Sequence, residues 1–158
     1  MSSLVARTIP SPVGPLTLVA NEKALVELSF GEEPIRHDDV TVGSNARVDQ
    51  AAKELDAYFA KKRTTFDVPL DVGGTPFQRT VYKALLDVKF GETRSYADIA
   101  AAIGKGKAFR AVGGANNKNP IAIIVPCHRI IGAGGSLTGY GGGLPVKEWL
   151  LAHERRRD

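Results

Sequence analysis

The chain has 158 residues, enough for one substantial core or two small subdomains, with a net charge of +4 and a single cysteine. One cysteine excludes an intramolecular disulfide and a cysteine-rich zinc site, and His37, His128 and His153 show no metal-ligand spacing. The segment Met1-Ser2-Ser3-Leu4-Val5-Ala6-Arg7 lacks a sustained apolar run, so neither a signal peptide nor a membrane span is expected, and a reducing cytoplasmic setting is.

Residues 5–9, 16–20 and 24–30 are short apolar runs separated by Pro/Gly turns and by Asn21-Glu22-Lys23, and they read as strands. Residues 32–44 read as loop. Val48, Ala51, Ala52, Leu55, Tyr58 and Phe59 recur at helical spacing and predict a helix with one apolar stripe. The polar stretch 61–74 reads as a connection, giving a sheet domain over residues 1–70 and a second domain over 71–158.

The second domain opens on Thr75-Pro76-Phe77-Gln78, with Thr at the N-cap, Pro at N1 and Gln at N3, the pattern of a capping box. Phe77, Val81, Leu85 and Val88 form the predicted buried stripe of that helix, which Gly91 follows. A second start stands at Ser95-Tyr96-Ala97-Asp98, with Ile99, Ala100 and Ile103 inward and Gly104 as the stop. After Gly104-Lys105-Gly106-Lys107 a third helix is expected over residues 108–115. Two short helices joined by a glycine-containing turn follow the grammar of a helix-turn-helix. They lie in a basic stretch: Lys89, Arg94, Lys105, Lys107, Arg110 and Lys118 stand against Glu92 and Asp98. That distribution suits a nucleic-acid partner, and also a solvated helix face.

On the third helix Arg110, Gly113, Gly114 and Asn117 share one face, while Phe109 and Val112 are expected to point inward. Each interior glycine costs about 1 kcal/mol against alanine, so something must approach that face closely. A minor groove about 6 Å wide and a tightly packed neighbouring helix are the two readings.

The apolar run Ile121-Ala122-Ile123-Ile124-Val125 then predicts a strand that ends at Pro126 and leaves Cys127 accessible. Free cysteines as a class behave as small buried hydrophobes. Here His128 supplies an adjacent base, and an unperturbed thiol is only a few per cent thiolate at pH 7. Neighbours on an extended strand point to opposite faces, so the pair needs a bridging water or a sharp turn. Downstream, Gly132-Ala133-Gly134-Gly135 and Gly139-Tyr140-Gly141-Gly142-Gly143 match neither a dinucleotide fingerprint nor a P-loop, and a last helix is expected over 145–154.

From Thr75 to Glu154 the chain resembles the O6-alkylguanine-DNA alkyltransferases, the suicide repair proteins also called methylated-DNA–protein-cysteine methyltransferases. The matching motifs are Ser95-Tyr96, Arg110-Ala111-Val112-Gly113-Gly114-Ala115, Asn119-Pro120, Ile124-Val125-Pro126-Cys127-His128-Arg129, Tyr140 and Lys147-Glu148-Trp149-Leu150-Leu151-Ala152-His153-Glu154. Ser11-Pro12-Val13-Gly14-Pro15-Leu16 resembles the family's N-terminal domain less specifically.

The resemblance implies an α/β (α+β) protein. A small N-terminal mixed β-sheet domain with a helix would precede a mainly helical, winged helix-turn-helix-like domain carrying the reactive cysteine. It implies that Cys127 accepts the alkyl group irreversibly, activated through a water by His128, with Glu154 orienting the imidazole. Tyr96 would assist the departing guanine, and Asn119 would link the helix-turn-helix to the segment bearing Cys127. DNA contacts are implied at Tyr96, Ala97, Lys105, Arg110, Gly113, Gly114, Asn117 and Ala133, with Arg110 as the finger that fills the vacated stack. Ile130, Tyr140 and Gly141 would line the base pocket. The expected partner is double-stranded DNA containing O6-alkylguanine, bound through the minor groove by a monomer, at the nucleoid in a bacterium. No cofactor and no metal are expected. A non-catalytic lesion-binding or regulatory module and a thiol hydrolase are the competing readings, and stoichiometry separates them: a sensor transfers nothing, a hydrolase turns over, and a suicide acceptor stops at one.

Overall fold

In the computed structural model, which describes residues 4–132, 134 and 140–155, the chain forms two compact units. One comprises residues 1–73 with 120–122, the other 74–119 with 123–158.

The first unit is a four-stranded mixed sheet in the order β3-β2-β1-β4 with one helix. β1 (Leu4–Ile9), β2 (Leu16–Ala20) and β3 (Leu25–Phe30) form an antiparallel meander. β4 (Val40–Val42) lies parallel to β1 inside the stretch expected to be loop. Three residues are too few to show an alternation in sequence, and the parallel pairing is what makes them a strand. Asn45 caps α1 (Ala46–Phe59) by accepting from Val48 N. Its fully buried Val48, Ala51, Leu55 and Tyr58 form the expected apolar stripe. The buried carboxylate of Glu27 on β3 accepts from the backbone N–H groups of Ile35 and Arg36 and from the His37 ring, pinning the 31–39 loop.

The second unit begins with α2 (Pro76–Leu86), where Thr75 and Gln78 make the expected capping box. Ser95 and Asp98 make another for α3 (Tyr96–Ala102). The chain then turns through Gly104 at φ +76°, in the left-handed region where glycine is unstrained, into α4 (Phe109–Asn117). Val112 is buried as expected, whereas Phe109 is 47% exposed instead of facing inward. Phe109 is the first residue of α4, so no preceding turn of this helix exists to cover it.

The run at 121–125 is not a strand. Ile121 forms one isolated parallel bridge with Leu28 of β3, flanked by Leu28 N–H donating to Pro120 O and Ala122 N–H donating to Leu28 O. The chain then turns with Ile123 at φ 71°, although that side chain is fully buried. A β-branched residue there carries strain of order 1–3 kcal/mol. After Pro126 come a single 3-10 turn, Cys127–Arg129, and β6 (Ile130–Ile131), which pairs in parallel with β5 (Arg94–Ser95). The β5–β6 pair brings the start of α3, and with it Tyr96, beside the chain leaving Cys127. α5 (Leu144–Glu154) closes the unit by packing on the 3-10 turn.

Candidate active site

The 3-10 turn answers the geometric objection raised by an extended Cys127-His128 pair. Its tight winding takes both residues off the opposed faces of a strand. Cys127 is 5% exposed and not accessible as the sequence suggested, because the chain turns back into the unit and does not leave a sheet edge. Burial pushes the thiol above its ordinary pKa, against the opposing pull of a hydrogen bond from Asn119, the positive charge of Lys147 and the nearby Tyr140 hydroxyl. At rest the sulfur is therefore held as a thiol.

His128 is completely buried, with Nε2 2.7 Å from Glu154 Oε2. The same carboxylate accepts from Arg129 Nε at 2.7 Å and from Arg129 Nη2 at 3.0 Å. Burial alone would raise the pKa of Glu154, but the hydrogen bonds and charges of His128 and Arg129 overcome it and hold the value at about 2. Because the carboxylate stays ionised it only accepts, so Nε2 carries the proton on that side. Burial pushes His128 below its usual pKa, opposed by Glu154 and aided by the charges of Arg129 and Lys147. The ring is thus neutral at pH 7, and its Nδ1 is a buried lone pair with no protein hydrogen-bond partner among the described residues.

Two asparagines of the α4 segment grip the turn. Asn119 Nδ2 donates to Val125 O at 2.8 Å, and Asn116 Nδ2 approaches Cys127 O at 3.4 Å. Three polar residues near the turn went unassigned in the sequence reading. Lys147 is fully buried and donates from Nζ to Ile130 O at 2.7 Å, and burial lowers its pKa. Arg129 also donates to Val88 O at 2.7 Å. Charged residues are almost never buried unless paired, so the motifs around them were the only available hint for Lys147 and Arg129, and Asn116 falls outside the matching motifs.

The remaining predicted residues fall into two groups. Tyr140 and Ile130 lie by the turn, the latter fully buried, whereas Gly141 is exposed. Ala97, Lys105, Arg110, Gly114 and Asn117 are exposed, and Tyr96 and Gly113 are half-buried. A Cβ added at Gly114 would meet nothing within 4 Å, and one at Gly113 would meet only the Tyr96 ring, at 3.8 Å. Internal helix packing therefore does not require either glycine. Ala133 lies outside the described residues.

Residues 76–156 match the DNA-binding domain of 6-O-methylguanine DNA methyltransferase, and residues 4–72 match the ribonuclease-like domain of 6-O-methylguanine DNA methyltransferase. The chain belongs to the methylated-DNA–protein-cysteine methyltransferase family. It is 54% identical over 156 residues to the methylated-DNA–protein-cysteine methyltransferase of Mycobacterium tuberculosis strain H37Rv, covering 96% of this chain and 92% of that protein. A Methanosarcina barkeri methylated-DNA–protein-cysteine methyltransferase is 50% identical over 148 residues, covering 92% of this chain and 94% of its own. The crystal structure of Mycobacterium tuberculosis OGT in complex with DNA matches with a TM-score of 0.89 at 53% identity, covering 96% of this chain and 92% of that chain. The fold is that of the family, and the protein is a suicidal DNA-repair methyltransferase that transfers to cysteine in a single turnover. No helix among the described residues is long and apolar enough to cross a membrane.

The low pKa of Glu154 makes the site part of the acid stability of the fold. A carboxyl with an ordinary value of 4.5 and a folded value of about 2 stabilises the protein above pH 4.5 and loses that contribution as the pH falls towards 2. The contribution is on the order of 3 kcal/mol. In urea titrations across that window, the stability difference between wild type and Glu154→Gln is therefore expected to narrow steadily as the pH falls. A difference that stays constant with pH would contradict this origin.

Proposed function

We propose that Cys127 is the alkyl acceptor and that His128 activates it through one bridging water. The observation that carries this reading is the neutral His128 ring, with Nε2 tied to Glu154 at 2.7 Å and Nδ1 a buried, unpaired acceptor. Buried polar atoms of this kind are ordinarily satisfied by water. A water between Nδ1 and the thiol would hand the thiol proton to the imidazole and leave a thiolate. The thiolate attacks the alkyl carbon on guanine O6 in line; the S–C bond forms as the C–O6 bond breaks. Tyr96 donates a proton or hydrogen bond to the departing guanine. Lys147 supplies the buried positive charge that favours the thiolate. Nothing in the site cleaves the resulting thioether, so the protein is consumed.

The substrate reading is duplex DNA carrying O6-alkylguanine, approached through the minor groove by the α4 face of Arg110, Gly113, Gly114 and Asn117, with Ala97 and Lys105 beside it. The open space over Gly114 supports it, since a glycine that no neighbour requires still costs about 1 kcal/mol. Arg110 fills the stack left by the extruded base, which is held against Tyr140, Ile130 and Gly141. We read the protein as a monomer working in the reducing cytoplasm, where Cys127 stays a free thiol.

Three outcomes test this reading. Incubation with O6-methylguanine duplex is expected to add one methyl group, about 14 Da, at Cys127 and then stop, whereas Cys127→Ala binds DNA and transfers nothing. Intact-mass measurement decides, and repeated turnover or modification elsewhere would exclude the acceptor assignment.

The wild-type rate is expected to fall on the acid side only below pH 6.5, because burial holds the His128 pKa under that ordinary value. His128→Ala should slow transfer by about 10²-fold or more and move the rise in rate to higher pH, towards the raised thiol pKa. A pH–rate profile unchanged in that variant would rule out the relay.

Arg110→Ala should weaken repair of duplex more than reaction with a free O6-alkylguanine base, because only the duplex must be unstacked. Gly114→Leu should weaken binding to every duplex by blocking close approach. Equal losses on duplex and free base in Arg110→Ala would remove the finger role.

A further inference from the structure

The fold leaves an aromatic ring in solvent at the start of α4. Phe109 is the first residue of that helix and is 47% exposed. Removing the rest of such a ring from water is worth roughly a power of ten in a binding constant.

At about 100° per residue, Phe109 projects about 40° from Gly113 and about 100° from Arg110. It therefore stands at the border between the buried stripe of Val112 and Asn116 and the open face of Arg110, Gly113, Gly114 and Asn117. Gly113 lies one turn further along the same flank, where the Tyr96 ring closes over it, with Cδ1 and Cε1 3.8 Å from a Cβ built there. Two aromatic rings thus line one flank of the helix, beside the open position of Gly114. Around them Lys105, Lys107 and Arg110 are exposed and make no salt bridge among the described residues. An apolar ring amid uncompensated positive charge suits a polyanion that also offers apolar faces, which describes nucleic acid and its stacked bases.

We propose that Phe109 is an apolar wedge for the minor groove: its ring enters beside Arg110 and packs against the base step next to the lesion, keeping that step unstacked while Arg110 occupies the vacated position. The proposal rests on α4 being the groove-facing helix. Proteins that open the minor groove commonly insert Phe or aliphatic side chains between base steps, kinking the duplex. A phenyl ring releases no counterions, so its contribution, unlike that of Arg110, is independent of salt.

The test uses full-length protein carrying Phe109→Ala or Phe109→Leu, and an O6-methylguanine duplex with the fluorescent base 2-aminopurine beside the lesion. Affinity and fluorescence are read in the Cys127→Ala background at several salt concentrations. Transfer rates on this duplex and on free O6-benzylguanine are read with Cys127 intact. Phe109→Ala is expected to lose on the order of tenfold in duplex affinity, by the same factor at every salt concentration. It should also lose much of the fluorescence rise that reports unstacking, and Phe109→Leu should recover part of both. The ratio of duplex rate to free-base rate should fall about tenfold, which a general folding defect would not produce. Wild-type affinity and fluorescence in Phe109→Ala, equal losses on duplex and free base, or a changed salt slope would each overturn the wedge. Failure of the parent protein to bind duplex at all would overturn the groove reading itself, and so is distinguishable from failure of the wedge alone.

Discussion

One carboxylate holds the second unit's buried polar groups in place. Glu154, at the end of α5, takes hydrogen bonds from His128 and twice from Arg129, while Arg129 reaches on to the carbonyl of Val88 just beyond α2. A buried carboxylate loses several kcal/mol of hydration, and only well-formed pairing restores it. The position of the 3-10 turn, the tautomer of His128 and the seating of α5 are therefore settled together. Removing the carboxylate would strand a buried guanidinium, a loss of order 3–5 kcal/mol. The geometry of the proposed relay and the stability of the unit cannot be separated here, because the same three hydrogen bonds hold both.

That arrangement also explains how a protein used once can avoid spending its thiol on the wrong electrophile. Only the thiolate is nucleophilic, and burial keeps Cys127 protonated. Under the proposed mechanism the means of ionising it are already assembled: a neutral imidazole whose Nδ1 has no partner among the described residues, a buried lysine, a hydrogen bond from Asn119 and the nearby Tyr140 hydroxyl. Each group on its own lowers the cost of the anion modestly. Under the proposed mechanism, the thiolate forms where the alkyl carbon is already in place, so inertness at rest and reactivity on substrate come from the same low-dielectric pocket.

What could be read from the sequence was whatever local chemistry decides. The capping box of Thr75 with Gln78 and the helix start at Ser95 form as expected, the latter also as a capping box with Asp98, because each motif satisfies its own helix end within four residues. The α1 stripe was legible for a similar reason, since fourteen residues show a clear period. β4, β5 and β6 have two or three residues each, and they exist through long-range pairing that no local pattern records. The run at 121–125 misled because five buried apolar residues look like a strand whether or not they are extended, and nothing in Ile123 announces a positive φ. Arg129 and Lys147 were hidden for the opposite reason: their charge suggests solvent, and only the tertiary contacts show that both are enclosed. The pair Cys127-His128 stood out because a unique cysteine beside a histidine is a local fact. The third partner lay 26 residues away.

The two sides of α4 join its exposed face to the turn bearing Cys127 more directly than the sequence order suggests. Its outer side carries Arg110, Gly114 and Asn117, and its inner side carries Asn116, whose amide reaches the carbonyl of Cys127. Just past its end, Asn119 holds the carbonyl of Val125 and hydrogen-bonds the thiol. A nine-residue helix is effectively rigid over this length, so whatever positions its outer face also positions the turn that bears the sulfur. Helix glycines that no contact among the described residues requires and a strained residue in the core carry a stability cost, and the two asparagine hydrogen bonds to the turn offset part of it. Under the proposed function, these contacts fix the distance between the helix face read as the DNA surface and the sulfur of Cys127.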